Sequence, residues 1–176
     1  MTARPAALIR PARPDDAAIV VELIRELAAY EREPASSVRV SEADLLRDGF
    51  GPTPRFELLI AELGGAVAGF ALFFTSWSTW EGRPGLYLED LFVREAARGH
   101  GLGRRLLAAV ARLALERGYP RLDLCVLDWN PARRFYDSIG MRERQDWRPY
   151  RLEEPGIARL AEGEPPPAGA TDGGSA

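Results

Sequence analysis

The segment Arg98-Gly99-His100-Gly101-Leu102-Gly103 has residue types that packing alone does not explain. It lies between an apolar run ending at Val93 and a helical pattern over Leu102 to Glu116, so its backbone N–H groups converge at a helix N-terminus. That arrangement suits an anion. Glycine lets the backbone approach a phosphate closely and supplies the positive φ of such turns. Arg98 and Arg104 add positive charge at either end. Spacing then separates the ligands. A dinucleotide fingerprint requires a third glycine where Arg104 stands, and an acidic residue at a strand end, whereas Asp123 falls inside a strand pattern. A P-loop requires a lysine, and all 23 basic residues are arginine. A different pyrophosphate carrier fits better.

Glu89 and Asp90 form a second group, because they interrupt the apolar run Leu86 to Val93. Strict alternation places them on opposite faces of a strand, and a charge there is unfavourable unless paired or used. Other chemistry is excluded by counting. Without lysine there is no Schiff base and no lysine nucleophile. One His (His100) and one Cys (Cys125) cannot build a Cys/His zinc site or an intrachain disulfide, so the chain reads as metal-free. With 26 acidic residues and a net charge of -3, no basic field exists to gather nucleic acid. The longest apolar run, Ala66 to Phe74, is far short of the roughly 18 residues that span a bilayer. No membrane partner and no leader are expected, and a cytoplasmic location follows as the expectation.

The elements that must position these residues are legible from periodicity. Leu8 to Arg10 reads as a strand, and Pro14 with Asp15 or Asp16 starts a helix whose Ile19, Leu23, Ile24 and Leu27 share a face, ending near Tyr30 and Glu31. Ser41 and Asp44 form a capping box for a second helix, stopped by Gly49 to Pro52. Phe56 to Glu62, a turn at Gly64 and Gly65, and Ala66 to Phe74 make an antiparallel hairpin. A loop over Ser76 to Pro84 precedes the strand Leu86 to Val93. The long helix ends at Gly118 and Pro120. Leu122 to Leu127 reads as a strand that buries Cys125, Pro131 to Ile139 as a helix, and Met141 onward, with Trp147 to Leu152, as a final strand pair. This order predicts one mixed α/β sheet. Residues 1–162 read as one domain and 163–176, rich in Pro, Gly and Ala, as a disordered tail.

RxxGxG at Arg98 to Gly103, directly after LEDLFV at Leu88 to Val93, resembles the acetyl-CoA signature of the GNAT N-acetyltransferases. LIRELAAYE at Leu23 to Glu31, DLLRDGFG at Asp44 to Gly51, LYLEDLFV at Leu86 to Val93 and WNPARRFYDSIG at Trp129 to Gly140 are similar to the spermidine/spermine N-acetyltransferase group, which includes diamine and thialysine acetyltransferases. The resemblance runs in order from about Leu8 to Leu152. It implies a mostly antiparallel twisted sheet of about six to seven strands flanked by about four helices.

The same resemblance implies the roles. Backbone groups of Leu91, Phe92 and Val93 would pair with the pantetheine arm of acetyl-CoA. Arg98, Gly99, His100, Gly101, Leu102, Gly103 and Arg104 would hold its pyrophosphate, and Asn130, Arg133 and Tyr136 would contact it further on. Asn130 also suits an N-cap for the helix beginning at Pro131. Glu89 would take the acceptor proton, the N–H of Phe92 or Val93 would support the oxyanion, and Tyr136 would attend the leaving thiolate. No covalent acetyl-enzyme is expected.

Tyr30, Glu31, Glu89 and Asp90 would contact the acceptor, a primary amine of a small molecule such as a diamine, a polyamine or a thialysine-like amino acid. Ser78 and Gln145 stand where polyamine-acetylating members carry acidic residues, which favours a smaller amine; Trp80 and Trp147 are candidates to wall its pocket. The resemblance also implies a homodimer. Two other readings stay open on the residues: a protein N-acetyltransferase, and a non-catalytic acetyl-CoA-binding module.

Overall fold

Five strands form a single sheet in the computed structural model, which describes residues 5–165. β1 (Ala7–Pro11), β2 (Glu57–Leu63), β3 (Ala66–Ser78) and β4 (Arg83–Val93) pair in sequence order, all antiparallel, and β5 (Leu122–Leu124) pairs parallel to β4. A parallel neighbour needs a crossover, and α3 (Leu102–Glu116) supplies it, lying against β3 and β4. α1 (Ala17–Tyr30) and α2 (Glu42–Gly49) precede β2. The chain divides into two units, one ending at Arg133 and the other starting at Arg134, with the division inside α4 (Ala132–Ser138).

Sequence patterning accounts for the first unit. Val20, Leu23 and Leu27 of α1 join Leu45 of α2, Leu58, Ile60, Phe70 and Phe92 in one core, with Leu72 packed against it. Leu102, Leu106, Leu107, Val110 and Ala114 are the buried stripe of α3, and Phe73, Leu86 and Leu88 are fully buried residues of the strands it covers. Each of these side chains larger than alanine contributes roughly 1.5–3 kcal/mol of burial. Ser41 Oγ accepts the Asp44 N–H at 3.2 Å while the Asp44 carboxylate accepts the Ser41 N–H at 3.0 Å, the capping box expected for α2.

Charged anchors fix strand ends to helices. Arg10 donates to Asp16 at 2.7 and 2.9 Å and to Glu62 at 2.7 Å, tying β1 to the turn before α1 and to β2. Its guanidinium holds the Asp16 carboxyl below the ordinary range. Arg94, just past β4, donates to Glu26 of α1 at 2.7 and 2.9 Å and to the Val67 carbonyl at 3.1 Å. The end of β4 is therefore fastened on two sides.

Three expectations are corrected. The loop over Ser76 to Pro84 is shorter, since β3 runs to Ser78 and β4 starts at Arg83. β5 stops at Leu124, and Cys125, expected to be buried, is exposed just past its end. The final strand pair from Met141 to Leu152 does not form, so the described residues hold five strands where six or seven were expected, and five α-helices in place of about four, the fifth being α5 (Gly156–Ala161). The reason lies in composition: Trp147, Tyr150 and Leu152 are exposed among Arg142, Glu143, Arg144, Asp146, Arg148 and Arg151, and Pro149 lacks a ladder donor. No apolar face exists to pin a register. Most of the tail expected from Gly163 lies outside the described residues.

Candidate active site

The parallel pairing of β4 with β5 ends at Leu88 opposite Leu124. From Asp90 to Val93, β4 keeps its β3 partners but has no strand on its other side among the described residues. The same point on β4 carries a bulge. Leu72 pairs with Asp90 and Phe73 with Leu88, which leaves Glu89 as the extra residue. Partners across a ladder share a face, so Leu88 and Asp90, two residues apart, lie on opposite faces. Glu89 is exposed, and Asp90 joins the Leu72 face that packs against α1 and α2. The alternation expected from sequence is broken at the two acidic residues.

Backbone direction along this stretch follows from one bond. The Arg94 N–H donates to the Ala68 carbonyl at 2.8 Å. Donors alternate along an antiparallel ladder, so Phe92 turns its N–H to β3 while Leu91 and Val93 turn theirs to the open side. The Val93 carbonyl, also on that side, accepts Arg98 Nε at 3.1 Å. Gly69 opposite Val93 is required by closeness: a Cβ there would fall on the Phe92 carbonyl oxygen and 3.1 Å from Val93 Cα.

The turn into α3 uses left-handed backbone at Gly99 (φ 79°) and Gly101 (φ 77°), the latter being the N-cap. Among the described residues, no backbone carbonyl accepts the N–H groups of Gly99 through Arg104, and the first intrahelical bond is Arg105 N–H to Gly101. Leu102 points its side chain into the core, so only its main chain faces the loop. Gly103 has ordinary helical backbone, and a Cβ there would meet nothing within 4 Å. Neither crowding nor conformation demands glycine at 103, and the space over it is open to a group approaching from outside. His100 holds its Nδ1 3.1 Å from the Arg98 carbonyl. A cleft of about 450 Å³ opens beside the loop, lined by His100, Gly101, Arg104, Arg105, Ala7 and Leu63 among others.

Negative charge collects on the α1 side. Burial first, and then the charges of Glu89 and Glu31, together push the Asp90 carboxyl up to about 7. Glu31, the C-cap of α1, is itself raised, first by burial and then by Glu33. Three carboxyl groups with no ion-pair partner among the described residues suit a ligand carrying ammonium groups. Among the described residues, no group of three or more His, Cys, Asp or Glu is placed to hold a metal ion.

Tyr30 joins the two regions. Its hydroxyl donates to Asn130 Oδ1 at 3.3 Å, the Arg98 guanidinium lies 4.6 Å above its ring, and Trp129 lies 6.3 Å away on another side. Asn130 is buried and also accepts the Ala132 N–H at 2.9 Å, which makes it the cap of α4. Arg133 donates to the Asp128 carboxylate at 2.6 Å and to the Asp128 carbonyl at 3.0 Å. Arg32, over the Trp129 ring at 4.2 Å, completes the row. Sequence reasoning missed Arg32 and Trp129; the only signal was Trp129 standing next to the single asparagine. Tyr136 belongs to the second unit, half-buried with its ring 5.3 Å from Phe135. Trp80 and Trp147 are both exposed.

Residues 20–141 match the model of the acetyltransferase (GNAT) family. A thialysine N-epsilon-acetyltransferase of Bos taurus is 39% identical, over 88% of this chain and 96% of that protein. An L-ornithine N5-acetyltransferase of Arabidopsis thaliana is 42% identical over 49% of this chain and 38% of its own length. An integron cassette protein from the mobile metagenome of V. cholerae superposes with a TM-score of 0.74 at 28% identity, over 89% of this chain and 98% of that one.

Proposed function

The chain belongs to the acetyltransferase (GNAT) family, and from that premise we propose that it moves an acetyl group from acetyl-CoA to a primary amine of a small molecule within a ternary complex. The observation that carries this reading is the end of β4–β5 pairing at Leu88 and Leu124, immediately ahead of the glycine loop and beside the Glu31, Glu89 and Asp90 carboxylates. Acetyl-CoA supplies the activated acetyl thioester. The donors turned outward at Leu91 and Val93 would take its pantetheine arm. The main chain of Gly99 to Arg104 would take its pyrophosphate, with Arg98 beside it. The open space over Gly103 fits such a group.

The chain's residues then handle the proton. An amine of pKa near 10.4 is neutral in about one molecule in 2,500 at pH 7, a handicap of about 4.6 kcal/mol. Glu89, exposed at the bulge, takes that proton, and the uncharged amine is the nucleophile. The Val93 N–H supports the oxygen that gains charge. Tyr136, on the family pattern, would hydrogen-bond the departing thiolate; full transfer from a phenol to a thiolate is uphill by roughly 2 kcal/mol. A second reading gives the proton to Asp90, favoured by a carboxyl held near 7. Glu89→Gln and Asp90→Asn separate them, because only the true acceptor's loss removes the acid limb of the pH–rate profile.

The acceptor is a diamine, a polyamine or a thialysine-like amino acid, residues 1–162 carry the activity, and the protein works as a cytoplasmic homodimer. Release of CoA thiol with a panel of small amines tests the reading. Turnover with small amines supports it. Turnover with protein substrates alone points to a protein N-acetyltransferase, and tight acetyl-CoA binding without turnover to a binding module. Light scattering reports the oligomer.

A further inference from the structure

Arg32 occupies a backbone position that favours glycine. Its N–H donates to the Ala29 carbonyl at 3.2 Å and the Glu33 N–H to the Ala28 carbonyl at 2.9 Å, the pair of bonds that closes a helix through one left-handed residue. That residue is Arg32, at φ 64°, the one non-glycine residue with positive φ among those described. A β-carbon is disfavoured there and glycine would serve the turn better. The arginine side chain must supply something that the turn does not need.

Its guanidinium carbon lies over Trp129, 4.2 Å from the ring centroid, a cation–π contact. A cation–π contact consumes none of the five N–H donors, and the Arg32 side chain makes no hydrogen bond to any described residue. Although Glu31 and Glu33 flank it in sequence, Arg32 makes no ion pair with any described carboxylate. Glu33 instead accepts from the Ser37 hydroxyl at 3.2 Å. The other two stacked arginines differ: Arg98 donates to the Val93 carbonyl, and Arg144 lies in the second unit. A planar fork, oriented by an aromatic ring and without a partner, is suited to bidentate recognition of a carboxylate.

Placement gives the ligand class. Arg32 directly follows Glu31, whose charge acts on Asp90, and it shares Trp129 with Tyr30. The acceptor side thus presents carboxylates followed by one preorganised cation. A diamine or polyamine has nothing to place against that cation and is repelled by it. An α,ω-diamino acid carries two ammonium groups and one carboxylate, matching both signs. Resting on the acetyltransferase reading above, we propose that Arg32 is a specificity-determining residue that binds the carboxylate of an α,ω-diamino acid acceptor.

The experiment compares L-ornithine with 1,4-diaminobutane, which carries the same amine without the carboxylate, under saturating acetyl-CoA. The native protein should show the higher kcat/KM for ornithine. Arg32→Met, which keeps an apolar side chain over Trp129, should lower kcat/KM for ornithine about 10- to 100-fold, mainly through KM, and leave the diamine within about threefold. Arg32→Gly should lose the same selectivity while melting no lower than the native protein, since it relieves the left-handed backbone. Equal losses for both acceptors, or a diamine preferred by the native chain, would overturn the assignment while leaving the acetyltransferase reading intact. Absence of turnover with every amine would overturn both.

Discussion

Arg98 Nε donates to the Val93 carbonyl at 3.1 Å, and this bond joins the loop that precedes α3 to the strand end whose backbone faces the open side of the sheet. The same guanidinium lies over Tyr30, whose hydroxyl reaches the buried Asn130. The first arginine of the RxxGxG pattern therefore acts inside the protein, as a positioning residue for donors on two elements, as well as adding charge at the loop.

Arg98→Leu should for that reason loosen the loop more than it lowers global stability. A charge-assisted bond at an exposed site and one cation–π contact together are worth roughly 1–2 kcal/mol. We expect KM for acetyl-CoA to rise about fivefold to thirtyfold and kcat to change less than threefold, read from initial rates at varied acetyl-CoA. An unchanged KM would show that the bond does not position the loop.

Gly103→Ala separates stability from ligand approach. Alanine gains roughly 0.5–1 kcal/mol over glycine in a helix, and the new Cβ would touch no protein atom. The melting temperature should hold or rise, while acetyl-CoA affinity in calorimetry falls at least tenfold, because the methyl group occupies the space proposed for the pyrophosphate. Affinity equal to that of the native chain would remove the loop from cofactor binding.

Asp90 makes a pH-dependent prediction. Its carboxyl lies at about 7 in the folded chain against an ordinary value of 3.8, so between these values the native state holds more protons than the unfolded chain. Stability from this group is present at low pH and is lost as pH rises towards 7. Asp90→Asn should therefore melt higher than the native protein at pH 8, by the equivalent of roughly 1–4 kcal/mol, with a smaller gap at pH 5. A gap independent of pH would mean that Asp90 ionises without penalty.

What the sequence made legible was local. The Ser41–Asp44 capping box, the Gly64–Gly65 turn and the glycine loop before α3 each depend on residues within a few positions, and all three appear where expected. The bulge at Glu89 depends on the register of β4 against β3, which no spacing within β4 records. Cys125 sat in an apolar run that looked buried, but burial required the ladder to continue past Leu124. The row from Arg98 through Tyr30 and Trp129 to Arg32 joins positions up to about a hundred apart in sequence, so only the folded chain reveals it.

Gly69→Ala tests whether Val93 contributes chemistry or only structure. The new Cβ would overlap the Phe92 carbonyl and approach Val93 Cγ2 to 3.2 Å, so β4 must retreat from β3 at the position where Val93 turns its N–H to the open side. Overpacking of this kind lowers stability by roughly 1–3 kcal/mol. A donor displaced by a fraction of an ångström loses much of its effect on developing charge, so kcat should fall about tenfold or more. The comparison is with Ala71→Gly, which weakens the same strand without pushing on Val93. If the two variants melt alike and lose kcat alike, strand stability alone accounts for the loss; a larger fall for Gly69→Ala places the Val93 N–H at the reacting carbonyl.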